Sequence, residues 1–278
     1  MSSNYLYSII LEIGATRDAT LPVTMGHQAH GLFLDLVRQI DPALSARLHD
    51  EPAYRPFTVS PLWGAKDYGS SRIVQTGQVY HLRITLLDGG MLWQCLSSHF
   101  LAAGELSLQL GEAAFTLRRI LSTPSLDSTG WAGCTDWQTL ATTAPYSSIT
   151  MRFASPTAFS LGDRKFALFP EPILLWDSLM RSWNLYAPEV LKIEKQSMRD
   201  VVKAYISISD YSLRTTTLHF PKSPQKGFIG TCTYLIKGAD NYRTQLSALA
   251  ELARYAGVGY KTTMGMGQAR IEECWRST

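Results

Sequence analysis

The chain has 278 residues, 45% hydrophobic and 18% charged, with a formal net charge of +3. The length fits one large domain or two small ones, and a disordered chain would carry less apolar content and more charge. No apolar run approaches the roughly 20 residues that cross a bilayer. Met1-Ser2-Ser3-Asn4-Tyr5 lacks the basic segment and apolar core of a secretory leader, so a cytoplasmic location is expected.

Residues 4–13 alternate, with Tyr5, Tyr7, Ile9, Leu11 and Ile13 on one side, and predict a strand. Apolar residues at helical spacing predict a helix over 30–40. Asp41 is suited to cap, and Pro42 to open, a second short helix that runs to about His49. Strands are predicted over 57–63 and 80–88, a helix over 91–103, and a hairpin over 106–120. The order is β-α-β-β-α-β. Residues 122–146, rich in Ser, Thr, Pro and Gly, read as a linker.

The order then repeats. A strand is predicted over 148–154, a helix over 172–183, strand-rich chain over 198–218, a strand over 227–237, a helix over 242–255 and a closing strand over 268–273. The fold class is therefore α+β, with two tandem ferredoxin-like (RRM-like, βαββαβ) domains at 1–121 and 147–278. The sheet of such a unit often serves as a platform for single-stranded RNA, although the fold hosts many activities.

Cys95, Cys134, Cys232 and Cys274 are scattered singly and read as free thiols, with neither a zinc ribbon nor a disulfide framework. Charge is divided unevenly. Residues 1–145 hold 9 Lys and Arg against 12 Asp and Glu, whereas residues 146–278 hold 17 against 11. A basic second half fits a polyanion partner.

The most distinctive segment is Gly257-Val258-Gly259-Tyr260-Lys261-Thr262-Thr263-Met264-Gly265-Met266-Gly267, a G-x-G pair repeated after five residues. Glycine permits positive φ and close backbone approach, so such a loop could present N–H groups to phosphates, with Lys261 and the Thr hydroxyls adding charge and donors. It follows a helix and precedes a strand, the reverse of a dinucleotide fingerprint, and Lys261 follows Tyr260 rather than the glycine of a P-loop.

This segment resembles the C-terminal glycine-rich loop of the CRISPR repeat-processing endoribonucleases of the RAMP superfamily. The stretches 26–33, 41–50, 57–62, 153–159 and 226–230 are similar to the same family, in order and spacing, along the whole chain. The resemblance implies cofactor-free, metal-independent cleavage of CRISPR repeat RNA, leaving a 2′,3′-cyclic phosphate and a 5′-hydroxyl. It also implies three partners: repeat RNA as precursor or mature crRNA, an effector complex, and a second copy of the chain. The alternative within the family is a non-catalytic subunit that only holds crRNA.

Cleavage of this kind needs a base for the 2′-hydroxyl proton, an acid for the leaving 5′-oxygen and a cation at the phosphorus. Histidine suits both proton roles at neutral pH. Of the six histidines, His30 lies near the start of the first helix and His49 at the end of the second, where opposite dipole ends would separate their pKa values. Either could be the base. The resemblance supports both as catalytic, places Arg55 near a basic residue that would stabilise the phosphorane, and puts Leu34 where some relatives use a tyrosine. His27 and His30 could also ligate a metal with His49, but no Cys or carboxylate cluster accompanies them. His81, His99 and His219 read as structural. The expected RNA-binding residues are His27, Lys222, Lys226, Gly257, Gly259, Lys261, Thr262, Gly265 and Gly267.

Overall fold

A computed structural model describes every residue except 1–3, 52–54, 70, 103–104, 221–222 and 277–278. The chain divides into two compact units. The first is Met1–Cys134 with Thr263–Gly265, and the second is Thr135–Thr262 with Met266–Thr278.

The first unit opens with β1 (Tyr5–Ala15) and β2 (Ala19–Pro22), then α1 (Gly26–Arg38) and α2 (Pro42–Asp50). Next come β3 (Phe57–Val59), β4 (Lys66–Tyr68), β5 (Ser71–Val74), β6 (Val79–Leu86), α3 (Gly89–Ala102), β7 (Ser107–Leu110) and β8 (Ala113–Leu121). The main sheet runs β3-β6-β1-β8-β7 with antiparallel neighbours, the ferredoxin-like order extended by one edge strand. Ile9, Leu11 and Ile13 of β1 share the core with Leu82 and Ile84 of β6, Phe33 and Val37 of α1, and Leu92 and Leu96 of α3. A small sheet of β2, β5 and β4 was not legible as periodicity.

Two local differences from the sequence reading matter for the site. Helix α1 begins at Gly26, not residue 30, because the small residues Gly26 and Ala29 join its buried face. His30 therefore lies a full turn inside the helix, beyond the reach of a strong terminal dipole. Helix α2 does start as expected, with the Asp41 carboxylate accepting the Leu44 N–H at 2.9 Å and Pro42 in the first turn.

The stretch 122–146, expected as a linker, carries a short 3-10 turn (Pro124–Leu126), β9 (Gly133–Asp136) and α4 (Trp137–Ala141). Strand β9 pairs with β1. The reason is that β1 buries both faces, and Ile10 on its second face needs cover from Leu121, Trp131 and Ala132. Asp127 organises that cover. Its buried carboxylate accepts the N–H groups of Thr129 at 2.8 Å, Trp131 at 2.7 Å and Ala132 at 2.6 Å.

The second unit contains β10 (Ser148–Thr157), β11 (Phe159–Ser160), β12 (Phe166–Ala167), α5 (Pro172–Tyr186), α6 (Lys195–Tyr205), β13 (Ile206–His219), β14 (Pro224–Ile236), α7 (Asp240–Ala256) and β15 (Ala269–Trp275). Its antiparallel sheet runs β13-β14-β10-β15, again the ferredoxin-like order. Residues 198–205, predicted strand-rich, are helical. Met198, Val201 and Val202 recur at helical spacing on the buried side of α6, and the Glu194 carboxylate caps its start by accepting from Gln196 and Ser197 N–H. The described helices include none long and apolar enough to cross a membrane.

Burial opposes ionisation of Asp127, yet the hydrogen bonds from Ala132, Thr129 and Trp131 outweigh it and hold its carboxyl below the ordinary value. Its stabilising contribution is thus present above about pH 4 and lost as pH falls through that lowered value. Asp127→Ala, which orphans three main-chain donors, is expected to cost about 2–3 kcal/mol in urea unfolding at pH 7. The loss should shrink toward pH 3.

Candidate active site

His30 is 7% exposed on the inner side of α1. One face of its ring lies against Phe57, with centroids 5.6 Å apart, and Phe57 in turn packs on Phe33 at 4.2 Å. Its Nδ1 is 3.0 Å from the main-chain oxygen of Thr263, a residue 233 positions away. A carbonyl oxygen only accepts, so Nδ1 carries the proton and Nε2 holds the lone pair. Burial pushes the imidazole pKa below its ordinary value. The Thr263 hydrogen bond opposes that shift, and the charges of Arg55, His49 and His27 add to it. His30 is therefore neutral at pH 7, with a fixed tautomer.

That electrostatic grouping brings together four residues anticipated from sequence: His27, His30, His49 and Arg55. His49 is exposed in the last turn of α2 and lines a groove of about 450 Å³ with Gly31, Leu34, Asp35, Ser45 and Asp50. The Ser45 hydroxyl donates to the Leu34 carbonyl at 2.9 Å, fastening α2 to α1. His27 is exposed in the first turn of α1, where helix N–H groups favour an anion. Arg55 is half-buried just before β3. Among the described residues, no group of three His, Cys, Asp or Glu side chains is placed to hold a metal ion.

The glycine-rich segment differs from its expected role. The Gly257 N–H donates to Ala253 O at 3.0 Å, Val258 to Gly267 O at 2.8 Å, and Gly259 to Ser178 Oγ at 2.8 Å. The Tyr260 N–H donates to Ala158 O at 2.9 Å and Gly267 to Pro156 O at 3.0 Å. These donors are occupied within the protein, so Gly257, Gly259 and Gly267 do not cradle a phosphate. They are required for shape instead. All three have positive φ, and a β-carbon would strike Ala158 O at Gly259 and Val258 O at Gly267. Gly265, φ +84°, belongs with Thr263 to the first unit and packs on Pro61. Thr262 sits on the short 3-10 turn between these glycines.

Lys261 is placed differently from the glycines. It lines a cleft of about 640 Å³ in the second unit with Arg164, Phe166, Gln225, Lys226 and Tyr260. Its Nζ lies 4.1 Å from the Phe220 ring centroid, and burial lowers its pKa. The structure thus joins Lys226 to Lys261 and adds Arg164. Lys222 lies outside the described residues. Arg152 and Arg270 face each other across β10 and β15, where Arg152 pairs with Glu272 at 2.7 Å.

The buried neutral His30 gives a sign for acid stability. Its folded pKa lies below the unfolded value near 6.5, so the unfolded chain binds more protons as pH falls through that window. Its contribution is intact above about pH 6.5 and is lost as pH drops through the lowered value. The His30→Phe variant should show a flatter decline of urea midpoint between pH 7 and 5 than the unsubstituted protein, and an equal slope would refute the burial argument.

Comparison with known proteins fits this geometry. Residues 5–142 match the family model described as CRISPR Cas6 N-terminal domain, and residues 151–269 match CRISPR-associated endoribonuclease Cas6. A Cas6 endoribonuclease of Streptococcus thermophilus is 27% identical over 121 residues, 44% of this chain and 49% of that one. One from Mycobacterium tuberculosis is 24% identical over 128 residues, 44% of this chain and 38% of that one. Each match thus spans half or less of the relative's length. Among solved structures, a Cas6 product complex has a TM-score of 0.77 at 28% identity, covering 96% of this chain and 99% of that chain. Thermus thermophilus Cas6 gives 0.74 at 27%, covering 98% of this chain and 100% of that chain. With two models of one family covering nearly its full length, the chain belongs to the Cas6 family of CRISPR-associated endoribonucleases.

Proposed function

We propose that the protein cleaves CRISPR repeat RNA to release crRNA, by metal-independent attack of a ribose 2′-hydroxyl on the adjacent phosphorus. The observation that carries this reading is His30, a buried neutral imidazole of fixed tautomer, grouped with His49 and Arg55. Nε2 of His30 takes the 2′-hydroxyl proton as O2′ bonds to phosphorus. The Arg55 guanidinium, permanently charged, stabilises the pentacovalent phosphorane. His49, as imidazolium, gives its proton to the departing 5′-oxygen. One P–O bond forms and one breaks, leaving a 2′,3′-cyclic phosphate on one product and a 5′-hydroxyl on the other.

The roles follow from burial. An imidazole removed from water loses its proton more readily and serves as base, which leaves the acid role to the exposed His49. His27, at the first turn of α1, and the Lys226–Lys261–Arg164 cleft supply phosphate contacts, which give affinity and salt dependence rather than sequence readout.

Repeat RNA incubated with the protein in excess EDTA should be cut to 5′-hydroxyl products, and a 2′-deoxy substitution at the scissile nucleotide should abolish cutting. His30→Ala and His49→Ala should each lower the single-turnover rate by about 10²–10⁴ while keeping RNA affinity. The first should lose the acid limb of the pH–rate profile, which lies below about pH 6.5. RNA binding without cleavage by the unsubstituted protein would refute the catalytic reading.

A further inference from the structure

The hydrogen-bond partner of His30 is a main-chain atom in the glycine-rich segment, and its placement depends on Gly265. Thr263 is buried at 8% exposure, so its carbonyl has little access to water in place of His30. Two residues later the chain takes φ +84° at Gly265, a conformation that side-chain-bearing residues rarely adopt. A β-carbon there would stand 3.3 Å from the Pro61 nitrogen and 3.5 Å from its Cδ.

The wall it would meet is rigid. Ser60 is fully buried, its N–H donates to Arg83 O at 2.9 Å, and its hydroxyl accepts the Arg83 N–H at 2.8 Å while donating to Pro61 O at 2.7 Å. A residue larger than glycine at 265 therefore displaces the Thr263–Gly265 tripeptide rather than the wall. The imidazole on the other end of the hydrogen bond is held on its flank by Phe57, and its charged neighbours are Arg55, His49 and His27.

We infer that the Thr263–Gly265 tripeptide is a positioning device for the cleavage reaction: the Thr263 carbonyl, held in place by the glycine conformation at 265, fixes His30 in the Nδ1–H tautomer that leaves Nε2 as the basic nitrogen. Gly265 is thereby a positioning residue that touches no reacting atom. The inference rests on the reading of His30 as the base. It assigns the glycine at 265 to the rate of the chemical step and not to RNA affinity. Without the carbonyl, the neutral ring divides between two tautomers, and only one presents its lone pair at Nε2.

The test joins spectroscopy and kinetics. In the unsubstituted protein with ¹⁵N-labelled histidine, His30 should show a protonated Nδ1 and an unprotonated Nε2 at pH 7.5. The opposite tautomer, or an equal mixture, overturns the inference. Gly265→Ala should lower the single-turnover rate by about 10–100-fold at saturating RNA, with the dissociation constant changed less than twofold. Its His30 signals should become a tautomer mixture, and the acid limb of its pH–rate profile should move up toward pH 6.5. A folded Gly265→Ala protein with lower melting temperature, but unchanged tautomer and acid limb, would show that the glycine is merely structural and overturn the inference. If that variant does not fold, the spectrum of the unsubstituted protein decides alone. Absence of cleavage by the unsubstituted protein would refute the nuclease reading separately, since the tautomer measurement does not depend on RNA.

Discussion

A single hydrogen bond, from His30 Nδ1 to the Thr263 carbonyl, fixes a buried imidazole of the first unit, and the proposed cleavage chemistry depends on it. A buried imidazole without a partner would cost stability, and one partnered by a carboxylate would favour the charged form. A neutral main-chain carbonyl pulls toward the charged form less strongly than burial pushes away from it. It satisfies the buried N–H and leaves burial to keep the ring neutral. The second nitrogen is then left with its lone pair, and in the proposed reaction it is a base set in place before substrate arrives.

The glycines of residues 257–267 become intelligible in the same terms. A glycine-rich loop has two common uses, exposing N–H groups to an anion or letting the backbone follow a path closed to other residues. Hydrogen-bond accounting separates them here. The N–H groups at 257, 258, 259, 260 and 267 are taken by protein acceptors, and the missing β-carbons at 259 and 267 would collide with main-chain oxygens. Shape is the use that prevails, and the cationic contribution passes to Lys261, whose side chain reaches a cleft shared with Lys226 and Arg164.

Most of the fold was readable because its central elements are strongly periodic. The alternation of β1, the apolar stripe of α1 and the Asp41-Pro42 start of α2 all follow from side chains acting locally. The failures share one cause, tertiary burial overriding local appearance. Residues 198–205 look strand-like because Val201 and Val202 are β-branched, yet burying Met198 with them on one side selects a helix. The polar stretch 122–146 looks like a linker until the second face of β1 requires Trp131, and Asp127 holds it there. Within the candidate site, His30 and His49 drew notice by the chemistry of their side chains. Thr263 did not, because its contribution is a carbonyl that every residue possesses. Only coordinates reveal which one it is.

In the proposed reaction, the division of labour between the two histidines rests on burial rather than on helix dipoles. Sequence placed His30 at a helix start and assigned its lowered pKa to the terminal field. With α1 beginning at Gly26, that field is weak at His30, and desolvation becomes the main cause. The difference has chemical consequences. A dipole effect would be screened by salt and altered by the polyanion itself, whereas burial against Phe57 does not depend on ionic strength. A base that must stay neutral beside a phosphodiester faces an anion that pulls protons toward it. In the proposed reaction, desolvation of His30 is the counterweight to that pull.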